Sequence, residues 1–178
     1  RKINMKPKPK IAILSIRNSY AHGGVFATLE VVHDFCKRYF DPTIFVLSFD
    51  KEISAHLRPP KFTSEIRHSI WQGMKCTEIG ARWAFWEPGH YTFSKNLWNE
   101  ALKQYNYFFM VGSTPIAASP LVQLKKKFVI WVSTTYAQDR AERVKKLTGL
   151  SSFLNKIATP KMLKSEKVIL NNASFICA

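Results

Sequence analysis

A chain of 178 residues, 46% hydrophobic and 13% aromatic, holds enough apolar material for one packed core, which excludes a disordered tail or linker. Its 27 Lys and Arg against 12 Asp and Glu leave a formal charge of +15, so the surface favours phosphate-bearing partners, with a merely solvated basic surface as the bland alternative. No apolar run nears the ~20 residues of a membrane-spanning helix, residues 1–10 hold no signal-peptide core, and Cys36, Cys76 and Cys177 make no CxxC pair; a spanning segment, a disulfide framework and a zinc site are excluded, and a reducing, cytoplasmic setting is expected.

Residues 1–9 read as a basic, extended leader, because the alternating Pro7 and Pro9 forbid helix and the lysines around them repel. Order is expected from residue 10. The unbroken apolar run Ile11 to Ile16 predicts a parallel strand covered on both faces and central in its sheet. A polar loop closes on Gly23 and Gly24, after which Val25, Leu29, Val32, Phe35 or Cys36, and Tyr39 recur at helical spacing. Asp41 and Pro42 stop that helix, and Thr43 to Phe49 completes a βαβ unit. From 51 to 91 the aromatics follow no single period, and short strands or hairpins are expected. Phe93 to Tyr105 outlines a helix capped by Thr92 or Ser94. Tyr107 to Val111 is a strand ending at Gly112; Ser113-Thr114-Pro115 and Ser119-Pro120 each offer a hydroxyl before proline, which predicts one short, broken helix. Phe128 to Val132 is the next strand, Asp139 to Glu142 resembles a capping box opening a basic helix to about Leu147, Ser151 to Leu170 reads as helix interrupted near Pro160, and Ser174 to Ala178 is the last strand. The alternation predicts an α/β fold: a Rossmann-like, doubly wound, mostly parallel sheet.

In such a sheet the ligand crevice lies beyond the carboxyl ends of the strands. That singles out Arg17, Asn18, His22, Gly23 and Gly24 after the first strand, Ser113 after Gly112, and Thr134 and Thr135 after Val132. Gly23 and Gly24 before a helix let a ligand approach bare backbone amides at the positive end of the helix dipole, or else serve only a tight turn. The remaining residues offer hydrogen bonds to a sugar or phosphate, although Ser and Thr are also ordinary turn and cap residues. The fingerprints G-x-G-x-x-G and G-x-x-x-x-G-K-[ST] are absent, which disfavours a simple dehydrogenase or ATPase. Asp139 reads as an N-cap rather than a base, no Ser/His/Asp or Cys/His arrangement has local support, and no metal is expected.

The strand Ile11 to Ile16, the Gly23-Gly24 loop entering Val25-Phe26, the segment Trp131 to Arg140 and the final Phe175 to Ala178 run together resemble the N-terminal domain of retaining glycosyltransferases of family four, which have the GT-B fold. The resemblance covers residues 10–178. It implies a two-domain hexosyltransferase whose C-terminal, donor-binding domain lies beyond this chain, so that this half mainly binds a saccharide or lipid-linked acceptor and shows no turnover alone. A nucleotide-diphosphate sugar is the implied donor substrate, with no covalently bound cofactor; Gly23 and Gly24 approach its diphosphate, and Arg17, Asn18, His22, Ser113, Thr134 and Thr135 become cleft-wall candidates. Where many relatives place a histidine after the mid-domain strand, this sequence has Ser133-Thr134-Thr135-Tyr136.

Two other classes stay open. The lysines at 125–127, 145, 146, 156, 161, 164 and 167 with Arg140 and Arg143 fit an electrostatic binder of anionic membrane, for instance peripherally on its inner face, or of nucleic acid, for which no recognition helix or RNA-binding signature is present. A Rossmann-like module with a scaffolding role and a protein partner is the third.

Overall fold

The computed structural model describes residues 7–17, 24–50, 52–55, 63–83, 93–138 and 149–177. Seven strands form one sheet: β1 (Lys10–Arg17), β2 (Asp41–Ser48), β3 (Ile66–Trp71), β4 (Met74–Gly80), β5 (Tyr107–Gly112), β6 (Val129–Val132) and β7 (Phe175–Cys177). Their order is β3-β4-β2-β1-β5-β6-β7, so the first strand is indeed the central one. Every pairing is parallel except β3 with β4. That exception is a hairpin whose two-residue turn, Gln72-Gly73, holds both residues at positive φ (48° and 80°), the handedness that matches the twist of paired strands.

Helices cover both faces, as a doubly wound sheet requires. On one face lies α1 (Gly24–Lys37), because Leu29, Val32 and Cys36 fall on one stripe and bury against Ile11, Ile13, Ile44, Val46 and Val111. On the other lie α2 (Lys95–Leu102), α3 (Ser119–Gln123) and α4 (Gly149–Asn172), closing over Ala12, Leu14, Phe45, Leu47, Met110 and Ile130 with Trp98, Leu102, Leu121 and Ile169. Alternate residues of β1 and β2 thus serve opposite cores, which is why their sequences are apolar throughout rather than alternating.

Local chemistry accounts for the ends. Ser94 takes the extended backbone of an N-cap before α2, although its side chain makes no capping bond; Thr92 lies outside the described residues. Pro115 opens a 3-10 turn over Pro115–Ala118, Pro120 sits in the first turn of α3, and the two make the short broken helix expected. α3 ends in a Schellman turn: Lys125 at φ 53°, with the Lys126 amide donating to the Leu121 carbonyl at 2.9 Å and the Lys125 amide to Val122 at 3.0 Å.

Two expectations need correcting. α4 runs as one helix through Pro160, where a break was expected. Burial of Asn155 and Ala158 before the proline and of Glu166 and Ile169 after it holds both halves on the sheet, so packing outweighs the lost backbone bond. Helical geometry after β6 is present at 136–138, while the capping box expected over Asp139 to Glu142 and the basic helix after it lie outside the described residues. β2 also starts two residues early, at Asp41, since Pro42 at a strand's amino end withdraws only one donor from the ladder.

Candidate functional site

The topology fixes where a crevice must form. From β1 the chain builds outward on one side through β2, β4 and β3, then crosses back to lay down β5, β6 and β7 on the other. The order reverses between β1 and β5, and beyond the carboxyl ends of strands at such a reversal doubly wound sheets bind their ligands. Gly24, Ser113, Thr134 and Thr135 all belong to loops or helix starts on this edge.

Gly24 is the exposed first residue of α1. A Cβ built on it meets nothing within 4 Å among the described residues, so their packing does not demand glycine here. Its carbonyl accepts the Thr28 hydroxyl at 2.8 Å, which ties down the first turn. Arg17 ends β1 beside Ser48, and its side chain, like Asn18, His22 and Gly23, lies outside the described residues.

The next two loops are joined to each other. The Thr134 amide donates to the Ser113 carbonyl at 2.9 Å and the Ser133 amide to Gly112 at 3.4 Å, continuing the β5–β6 ladder past the ends of the strands. Thr135 then forms a reciprocal capping box with Gln138: the Gln138 amide donates to Thr135 Oγ1 at 3.2 Å, and the Thr135 amide donates to Gln138 Oε1 at 3.1 Å. Thr134 Oγ1 and Thr135 Oγ1 also donate to Gln138 Oε1, at 3.2 and 3.0 Å. One amide oxygen therefore gathers three donors. Thr135 caps the helical turn that starts at 136, and both threonine hydroxyls are engaged within the loop.

Beneath this knot the Tyr136 amide donates to Glu166 Oε1 at 2.7 Å. Tyr136 is fully buried and Glu166 is 7% exposed, so a carboxylate from α4 pins the loop from below. The sequence reading missed Gln138, Tyr136 and Glu166. Thr135-x-x-Gln138 carries the capping-box spacing and could have been found; the pairing of Tyr136 with Glu166, thirty residues apart, has no sequence signal.

Two hydroxyls at this edge stand out because burial without a partner costs about 1–3 kcal/mol. Thr114 Oγ1 (residue 1% exposed) and Ser15 Oγ (2% exposed) have no hydrogen-bond partner among the described residues. Thr114 precedes the 3-10 turn without capping it, and Ser15 sits near the carboxyl end of β1.

Other polar groups are structural. Arg67 on β3 binds Asp50 at 2.7 Å, Glu78 at 2.9 Å and Glu52 at 3.1 Å. Its hydrogen bonds to Glu78 and Asp50 push the guanidinium still further from losing its proton, so it serves as a fixed counter-charge for the buried Glu78. Burial raises the Cys36 thiol, which removes it as a nucleophile. A cleft of about 500 Å³ lies at the opposite, amino end of β2 and β4, with Phe45, Ile66 and Tyr105 toward the sheet and Lys75, Lys103 and Gln104 at its rim; it contains none of the expected site residues. Among the described residues, no three His, Cys, Asp or Glu side chains gather as a metal site requires, and no helix is long and apolar enough to cross a membrane.

Comparison with models of known protein families and with curated protein sequences finds no match to this chain.

Proposed function

We propose that the chain is the mainly acceptor-binding, Rossmann-like half of a nucleotide-sugar-dependent glycosyltransferase, acting at the carboxyl edge between β1 and β5. The observation that supports this most is the meeting of topology and chemistry: the strand order reverses beside α1, whose first residue Gly24 is exposed and has open space for a Cβ among the described residues. The same edge carries the joined loops of Ser113 and Thr134 and the buried, unpartnered hydroxyl of Thr114.

Transfer of a sugar from a nucleoside diphosphate requires stabilisation of the departing diphosphate and a held acceptor hydroxyl. In this reading the first-turn amides of α1 meet the diphosphate, with the helix dipole favouring its charge. The hydroxyl and amide groups of the β5 and β6 loops hold the acceptor. Their preorganisation through Gln138 and Glu166 suits that task, because groups already tied in place lose little entropy when a ligand arrives. A second domain carrying the rest of the donor site completes the cleft, so the chain alone is expected to bind but not to turn over.

The test uses amide chemical shifts of the 178-residue chain titrated with uridine and guanosine diphosphate sugars and with free saccharides. Shifts at Gly24, Ser113, Thr134 and Gln138 are expected. Gly24→Ala separates function from packing: with nothing for the new methyl to strike, the fold holds, while loss of close backbone approach weakens nucleotide binding at least tenfold, about 1.4 kcal/mol. Shifts confined to the opposite edge, or a Gly24→Ala protein that binds as well as the parent, would overturn the assignment.

A further inference from the structure

α4 turns an unusual face to solvent. At 3.6 residues per turn its inward stripe is Asn155, Ala158, Glu166 and Ile169, all buried. The outward arc carries Phe153 (59% exposed), Ile157 (51%), Leu163 and Val168 together with Lys156, Lys161, Lys164 and Lys167. Glu166 is the one acidic residue in the helix, and it points inward to the Tyr136 amide. The outward arc is therefore apolar and cationic, with no carboxylate in it.

The neighbouring surface continues the pattern. A groove of about 340 Å³ opens between α3 and α4, with Val122, Val168 and Ile169 among its apolar lining, Lys161 and Lys164 at its rim, and no acidic residue in its lining. Exposed Lys125 and Lys127 follow directly after α3. α1 provides an internal contrast: it too exposes Val31 and Phe35, with Tyr39 in the turn after it, but Glu30 and Asp34 stand among them. With exposed Lys37 and Arg38 beside them, those carboxylates leave the α1 surface without net charge, whereas the α4 face attracts an anionic surface.

We propose that the outward face of α4, with the α3–α4 groove, docks on an anionic lipid bilayer. Phe153, Ile157 and Val168 enter the boundary between headgroups and acyl chains, while the lysines reach lipid phosphates through their flexible stems. Lysines alone would suit nucleic acid equally well. The uncovered apolar side chains decide for lipid, because a bilayer offers apolar depth beneath its charge and a polyphosphate backbone does not. This docking rests on surface chemistry only and stands whether or not the chain belongs to a glycosyltransferase.

Flotation of the 178-residue chain with phosphatidylcholine vesicles, with and without phosphatidylglycerol, is the experiment. Binding is expected only with the anionic lipid, weakening as salt is added. Each charge reversal among Lys161, Lys164 and Lys167 to Glu should lower partition by at least about fivefold, and the pair Phe153→Ser with Ile157→Ser by at least tenfold. These side chains are exposed, so far-ultraviolet circular dichroism should be unchanged. Lys37→Glu on α1 is the control and should leave partition as it was. Absence of binding to anionic vesicles, a Lys37→Glu loss as large as that of Lys161→Glu, or full vesicle binding by the Phe153→Ser, Ile157→Ser protein would each overturn the proposal; the last result, with equal affinity for duplex RNA, would mark a general polyanion surface instead.

Discussion

Gly80, the last residue of β4, shows how a single side chain can be forbidden. A Cβ there would lie 1.8 Å from the Ile53 carbonyl oxygen and 2.9 Å from Ser54 Cα, both backbone atoms. That backbone cannot easily give way, because it is tied at several points: the Ile53 carbonyl accepts the Glu65 amide at 2.8 Å, and the Ser54 hydroxyl donates to the Ser48 carbonyl at 2.7 Å. Gly80→Ala must therefore shift the 52–55 segment away from the sheet, at a cost of about 3 kcal/mol or more. Urea unfolding should show it as a large loss of midpoint, whereas Gly24→Ala should leave the midpoint near that of the parent. Equal midpoints for the two variants would contradict the close approach at Gly80.

At the scale of elements, the loop after β6 is built by two devices of different reach. The capping box between Thr135 and Gln138 is local, and removing it by Thr135→Ala should cost about 1 kcal/mol. The bond from the Tyr136 amide to Glu166 is remote and buried, and Glu166→Gln keeps an acceptor while removing its charge. The two act on successive residues of one loop, so their effects should not add. A double-mutant cycle of Thr135→Ala with Glu166→Gln is expected to show a coupling of at least about 0.5 kcal/mol. Strict additivity would mean that the cap and the pin hold separate structures.

For the whole molecule the dominant fact is charge. At +15 the folded surface repels itself, and compaction brings like charges closer than they sit in the unfolded chain. The visible ion pairs do little against this: Lys75–Asp41 and Lys103–Glu100 are exposed, and Arg67 already shares three carboxylates. Raising sodium chloride shortens the screening length and should stabilise the fold. A gain of about 1 kcal/mol would raise Tm by about 2–4 °C in a domain of this size. A Tm that falls with added salt would show that attractive pairs, not repulsion, dominate.

The sequence by itself determined the elements and the class of sheet. The unbroken apolar runs of β1 and β2 could belong only to strands covered on both faces, and the helical stripe between them made the βαβ unit legible. Local signals worked wherever the physics is local, as at Pro115, Pro120 and Gly112. They failed at Pro160, because a helix pinned to a sheet on both sides of a proline obeys its packing and not its propensity. Only the tertiary structure decided that β1 and β5 flank the reversal of strand order, that Glu166 reaches back to Tyr136, and that α4 keeps its one carboxylate inward and its lysines outward. Each of these joins residues far apart in the chain or depends on which face of an element the sheet covers, and neither is written in local spacing.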